Sequence, residues 1–181
     1  NITSYNSGSD ILFQSISNID INAPVTTSGT STLTINAIGN VNDGSNGSFT
    51  GKIISNKLLL SGSGNVNLDS TTNNISILSA GTTGSRVGNL LFLNSGAFSV
   101  GSVGSNNGIF TSGTISISSL SGDLSVTQNI NTQNTSTSAL ILNAGQSSSA
   151  GTSTGGNINF SGGASITLGT NGRASLYSGS V

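Results

Sequence analysis

The heptapeptide Ala139-Leu140-Ile141-Leu142-Asn143-Ala144-Gly145 decides how this chain is read, because it is a short apolar run closed by a small polar turn whose ending recurs along the sequence. Copies of that ending are Ile35-Asn36-Ala37, Leu60-Ser61-Gly62, Leu78-Ser79-Ala80-Gly81, Leu93-Asn94-Ser95-Gly96, Leu120-Ser121-Gly122 and Phe160-Ser161-Gly162. Their spacing is irregular, between roughly 15 and 27 residues, the range of a solenoid whose coils accept insertions at their corners. Each copy describes a strand with a large side chain facing inward, ending where only small residues and turn formers fit.

Working outward, the neighbouring segments carry the same period-two alternation. Ile11, Phe13, Ile19 and Ile21 are inward positions near the start, and Pro24 marks a corner or strand end because it cannot donate to a ladder. Thr32-Leu33-Thr34-Ile35, Thr114-Ile115-Ser116-Ile117-Ser118 and Asp123-Leu124-Ser125-Val126-Thr127 alternate strictly. Asn40-Val41-Asn42-Asp43 and Asn65-Val66-Asn67-Leu68-Asp69 repeat one motif about a coil length apart, with a turn-rich corner around Phe49 between them. Lys52-Ile53-Ile54 and Lys57-Leu58-Leu59-Leu60 form two arms, Thr82 to Arg86 a loop, Gly104-Ser105-Asn106-Asn107 a turn, and Gln146 to Gly155 a loop at one corner. The last rung is Asn157 to Phe160, Ile166 to Leu168 and Ala174 to Tyr177.

Well over half of the 181 residues are Gly, Ser, Thr or Asn, a composition that by itself signals disorder. The short alternating runs of Leu, Ile, Val and Phe, the single proline and a net charge of −1 point the other way. No segment has helical periodicity, and Glu never occurs. The reading is therefore an all-β chain: residues 1–181 as one β-solenoid segment of about seven or eight coils, part of a longer repeat protein or filament. Asn, Ser and Thr at repeated corners are expected to form side-chain hydrogen-bond ladders along the axis.

Gly122-Asp123-Leu124-Ser125-Val126, Gly156-Asn157-Ile158-Asn159-Phe160 and Ile166-Thr167-Leu168-Gly169, with the opening heptapeptide, resemble the repeats of filamentous haemagglutinin-like exoproteins, large bacterial adhesins exported by two-partner secretion. The resemblance covers nearly the whole chain and lies in degenerate repeats. It implies a right-handed parallel β-helix within a long extracellular shaft, secreted or displayed at a bacterial cell surface.

Four scattered cations, Lys52, Lys57, Arg86 and Arg173, make no basic stripe, so nucleic acid is not an expected partner, and no apolar run has the ~20 residues of a membrane span. With no His or Cys, zinc and a Ser-His-Asp relay are excluded, and the G-x-S-x-G match Gly151-Thr152-Ser153-Thr154-Gly155 is a loop. Five carboxylates remain: Asp10, Asp20, Asp43, Asp69 and Asp123. Asp43 and Asp69 occupy equivalent motifs and could pair on adjacent rungs as acid and base, but the favoured reading is two solvated corner residues. The expectation is no catalytic, cofactor-binding or metal site, and no cofactor.

Three functions are weighed. The first is a structural, non-catalytic fibre or adhesin segment that continues in a longer chain or self-associates head to tail. The second is a binding module for ice or glycan, using a Thr/Ser/Asn face such as Thr26, Thr27, Thr30, Thr32 and Thr34, with Tyr5 and Tyr177 available to stack on a sugar. The third and weakest is a polysaccharide-degrading β-helix enzyme. Sequons at Asn1, Asn46, Asn74, Asn134 and Asn159 are expected by chance in such a composition.

Overall fold

A computed structural model describes residues 2, 5–44, 51–149 and 152–179. The described residues contain strands, turns and bends but no helix. They form a parallel β-helix of seven coils, each carrying strands on three faces. One face is a seven-stranded sheet of Ile19–Asp20, Val41–Asn42, Val66–Leu68, Leu90–Asn94, Ile115–Ser119, Leu140–Ala144 and Ala174–Ser178, every neighbour parallel. The other two faces merge into a twelve-stranded sheet, because in the third and fourth coils the chain rounds the corner without leaving strand conformation.

Register turns the alternation into two long internal columns. Ile19, Val41, Val66, Leu90, Ile115, Leu140 and Ala174 lie one above the next through all seven coils. Phe13, Ile35, Leu60, Ala80, Ile109, Ile130 and Ile166 do the same across the interior. From Ile35 to Ile130 that column is almost wholly buried, and Phe92 and Phe98 fill the middle edge to face at 5.4 Å. The inward positions read at Ile11, Ile19 and Ile21 are buried, and Phe13 is half-buried at the first coil.

The expectation of two arms at Lys52 and Lys57 is corrected by one ten-residue strand, Lys52–Ser61. Its alternation slips once, at Asn56 and Lys57, which are both half-buried; this lets one strand serve two faces. Pro24 opens the strand Pro24–Thr27, where its missing N–H costs the ladder least. The turn at Gly104, with φ of 61°, closes a small hairpin of Ser102–Val103 with Asn106–Asn107, the one antiparallel pair among the described residues. The corner around Phe49 lies outside the described residues.

The corner ladders differ from like-on-like stacking. A recurring Asx stands just before a strand, and its side-chain oxygen accepts the backbone N–H of the equivalent residue one coil later. Asp10 takes Thr32, Asn18 takes Asn40, Asn65 takes Asn89, Asn89 takes Thr114, Asp123 takes Asn157 and Asn129 takes Ser165, all at 2.7–3.0 Å. Such a bracket needs space directly above the Asx. Glycine supplies it: a Cβ on Gly88 would stand 2.4 Å from Asn65 Oδ1, and one on Gly113 would stand 2.1 Å from Asn89 Oδ1. Gly88-Asn89-Leu90 thus encodes room, bracket and inward side chain in three consecutive residues.

Two stability measurements check this architecture. Leu142, buried between Ile117 and Leu176 in register, should lose about 2–5 kcal/mol as Leu142→Asn, whereas Ser148→Asn in the adjoining loop should be near neutral in denaturant unfolding. Gly113→Ala should destabilise, Asn89→Ala should cost about 1 kcal/mol, and the double variant should cost less than the sum by about 1 kcal/mol, since the atom in the way is gone. Strict additivity would show that the glycine makes no room for the Asn.

Candidate functional site

No three of the five carboxylates gather, although Asp69 lies near enough to Asp43 for its charge to act on it. Asp10 and Asp123 are brackets, Asp20 Oδ1 accepts Asn42 Nδ2 at 2.9 Å, and Asp123 Oδ2 also receives Asn159 Nδ2 at 3.1 Å. The reading of Asp43 and Asp69 as two solvated corner residues is corrected. Val41 pairs with Val66 and Asn42 with Asn67, so the same register sets Asp43 opposite Leu68, on the inward rank, one position out of step with Asp69. Asp43 is fully buried and Asp69 is half-buried.

Asp43 Oδ2 accepts Ser70 N–H at 2.9 Å and Asn73 Nδ2 at 2.7 Å, while its Oδ1 has no hydrogen-bond partner among the described residues. Burial pushes the Asp43 carboxyl above the ordinary carboxylate value; the Asn73 amide and Ser70 N–H pull against this, and the nearby Asp69 charge adds to it. The group belongs to a polar corner. Asn73 Oδ1 in turn accepts Ile53 N–H at 2.8 Å, and one coil later Asn94 Oδ1 accepts Ile75 N–H at 2.9 Å. Sequence reading missed it, although aligning the two Asn-Val-Asn motifs residue by residue places Asp43 against Leu68.

The threonines near the start do not form a repeating face. Thr26 lies between Asn6 and Ile54, Thr34 between Leu12 and Leu59, and Thr32 beside Lys57, while Thr27 is buried and bonds Ser55 Oγ at 2.8 Å. Tyr5 sets its ring edge to face on Phe13 at 5.9 Å at one end of the stack, and Tyr177 is exposed on the last coil. Asn134 closes a local turn through Ser136, and Asn159 bonds Asp123. Asn1, Asn46 and Gly151 of the G-x-S-x-G match lie outside the described residues.

A concavity lies on the side of the stack where two excursions meet. The loop after Gly81 and the hairpin Ser102–Asn107 project from successive coils and enclose a cleft of about 180 Å³ lined by Thr82, Thr83, Ser105, Asn106, Asn107 and Phe110. Asn106 Nδ2 donates to Gly81 O at 3.2 Å, tying the two excursions together. Arg86 lies over the Phe110 ring, 5.7 Å from its centre, and its Nη1 donates to Asn131 Oδ1 at 2.8 Å, Thr111 O at 3.1 Å and Asn131 O at 3.4 Å. Both excursions were legible as a loop and a turn. Their meeting was not, because it depends on which coil rests on which.

Comparison of the chain with protein-family models, with curated proteins and with solved structures finds no match. Among the described residues no three acidic, His or Cys side chains are grouped so as to hold a metal ion.

The Asp43 corner predicts an unusual pH profile. A carboxyl with a raised folded value stabilises most when protonated, and this contribution is lost as pH rises through that value. Stability against denaturant should therefore fall as pH rises above the ordinary carboxylate value. Asp43→Asn, neutral throughout, should flatten that slope; a slope unchanged in the variant would refute the assignment.

Proposed function

We propose that this chain is a structural, non-catalytic segment of a secreted bacterial surface fibre or adhesin, with the coil stack as its shaft, in the manner of the filamentous haemagglutinin-like exoproteins its repeats resemble. The observation that carries the reading is the pair of apolar columns running in register through seven coils. In the last described coil, Phe160 continues the rank of buried Val126 yet is 41% exposed, and Leu176 continues the rank of buried Leu142 yet is 46% exposed. At the other end a cavity of about 350 Å³ opens among Ile2, Leu12, Phe13 and Ile19.

An uncovered parallel rung offers unpaired N–H and C=O groups together with apolar side chains, which is the template for another rung. Further coils of a longer polypeptide would fill it, as would the first coil of a second copy. Joining the last coil of one molecule to the first of the next is a heterologous contact, so it propagates and does not close. The regular backbone ladders also give stiffness along the axis with little need for charge, which fits a chain in which only nine side chains are ionic.

Sedimentation and electron microscopy of the chain across a concentration series test this. Concentration-dependent end-to-end association is expected, and Phe160→Asn combined with Leu176→Asn should reduce it strongly while leaving the β-rich circular dichroism spectrum intact. A monomer at every concentration, indifferent to the substitutions, contradicts stacking between copies.

A further inference from the structure

We propose that the cleft between the 81–87 loop and the 102–107 hairpin is a binding site for a single neutral sugar unit. Its six lining residues, Thr82, Thr83, Ser105, Asn106, Asn107 and Phe110, carry three hydroxyls, two amides and one aromatic ring, and none of them is ionisable. Hydroxyl and amide groups both donate and accept, as the hydroxyls of a sugar ring require, and Phe110 adds carbon surface for the C–H groups of that ring. A charged ligand would shed water with no opposite charge in the lining to receive it. The side chains of Thr83, Ser105 and Asn107 hydrogen-bond no other described residue, so their donors and acceptors are open to a ligand.

The walls are held in place by the protein itself. Thr82 N–H donates to Ser85 O at 2.8 Å and Thr82 Oγ1 accepts Ser85 N–H at 3.0 Å, which closes the loop on itself. Gly108 N–H donates to Gly101 O at 3.0 Å at the base of the hairpin, and Asn106 Nδ2 ties hairpin to loop through Gly81 O at 3.2 Å. Arg86, over the Phe110 ring at 5.7 Å and bonded through Nη1 to Asn131 Oδ1 at 2.8 Å, braces that ring and is not one of the lining residues. A pre-formed cleft loses less binding free energy to loop ordering. Its volume of about 180 Å³ is below the usual range of about 300–1,000 Å³ for ligand pockets, which limits the site to one ring of a glycan. An extended peptide fits less well, because it needs a strand edge to join and the hairpin strands are two residues each.

Nuclear magnetic resonance of isotope-labelled protein titrated with lactose, maltotriose and chitotriose, with trigalacturonate and a capped trialanine peptide as controls, tests this. At least one neutral sugar should shift the side-chain amide signals of Asn106 and Asn107 saturably, with a Kd of about 1 mM or tighter, and the three sugars separate hexose from N-acetylhexosamine. Asn107→Ala removes a side chain that no other described residue bonds, so the fold should persist while binding, read at Asn106, weakens about fivefold to tenfold. Thr83→Ala repeats the test on the loop side of the cleft. Ser116→Ala, in the outward rank of the seven-stranded sheet, should leave binding unchanged. The readout does not depend on whether copies of the chain stack, so its failure is distinct from failure of the shaft reading. Absence of shifts with all three neutral sugars, tighter binding of trigalacturonate, equal shifts with the peptide, or unchanged affinity in both Asn107→Ala and Thr83→Ala overturns the proposal.

Discussion

Apart from the hairpin Ser102–Asn107, the described strands find their partners in the coils below and above, and that parallel, in-register ladder is the constraint on which the rest of the structure depends. It consumes the backbone N–H and C=O groups along the axis, so strands of only two to five residues suffice on most faces. It also repeats each position vertically. A side chain that points inward meets the same rank in both neighbouring coils, and the column stays apolar because no water is available there and each buried aliphatic side chain contributes roughly 1.5–3 kcal/mol. Outside, the same repetition imposes no chemistry. The outward rank Asp20, Asn42, Asn67, Leu91, Ser116, Ile141 and Ser175 mixes charge, amide, hydroxyl and hydrocarbon.

Where the chain turns a corner the ladder is interrupted, and side chains complete it. Asn94 shows the substitution most fully: its Oδ1 accepts from Ile75 N–H while its Nδ2 donates to Ile75 O at 3.2 Å and Gly96 O at 2.9 Å, so one buried amide satisfies two backbone groups of the same residue and one of its own turn. A carboxylate cannot do this as cheaply. Asp43 stands in the corresponding polar corner two coils earlier with one oxygen bonded twice and the other without a hydrogen-bond partner among the described residues, and protonation relieves the burial of its charge. An amide in the core column is thus a structural part, and Asp43 is the point where stability against denaturant is linked to pH.

The fold was legible because the alternation at Thr32 to Ile35, Ile115 to Ser118 and Leu124 to Val126 leaves only one face to bury, and because the last rung, Ile158–Phe160, Ile166–Thr167 and Ala174–Ser178, falls where the apolar residues stand two apart. Legibility failed where a residue's role depends on its vertical neighbour. Asp43 looks like a turn former until Leu68 is set above it. Asn56 and Lys57 look like a break between two strands, yet Ser55 and Lys57 still pair with Ile75 and Ile77 on the coil above. The Gly-Asx brackets were visible as the phrases that carried the family resemblance, but their purpose depends on the oxygen-to-amide distance between coils, which no single coil contains.

A regular solenoid wall is a poor place for recognition, since a ligand pocket needs concavity and converging donors while the wall supplies neither. This chain departs from regularity at the 81–87 loop and the 102–107 hairpin, and the departure brings together Phe110 and a guanidinium whose described contacts are all neutral. With Lys and Arg so scarce, electrostatic attraction to an anionic surface as a whole is weak. Shaft and site therefore make different demands on the sequence. The shaft asks for the same residue at every coil, and a site asks for two coils to break the pattern together.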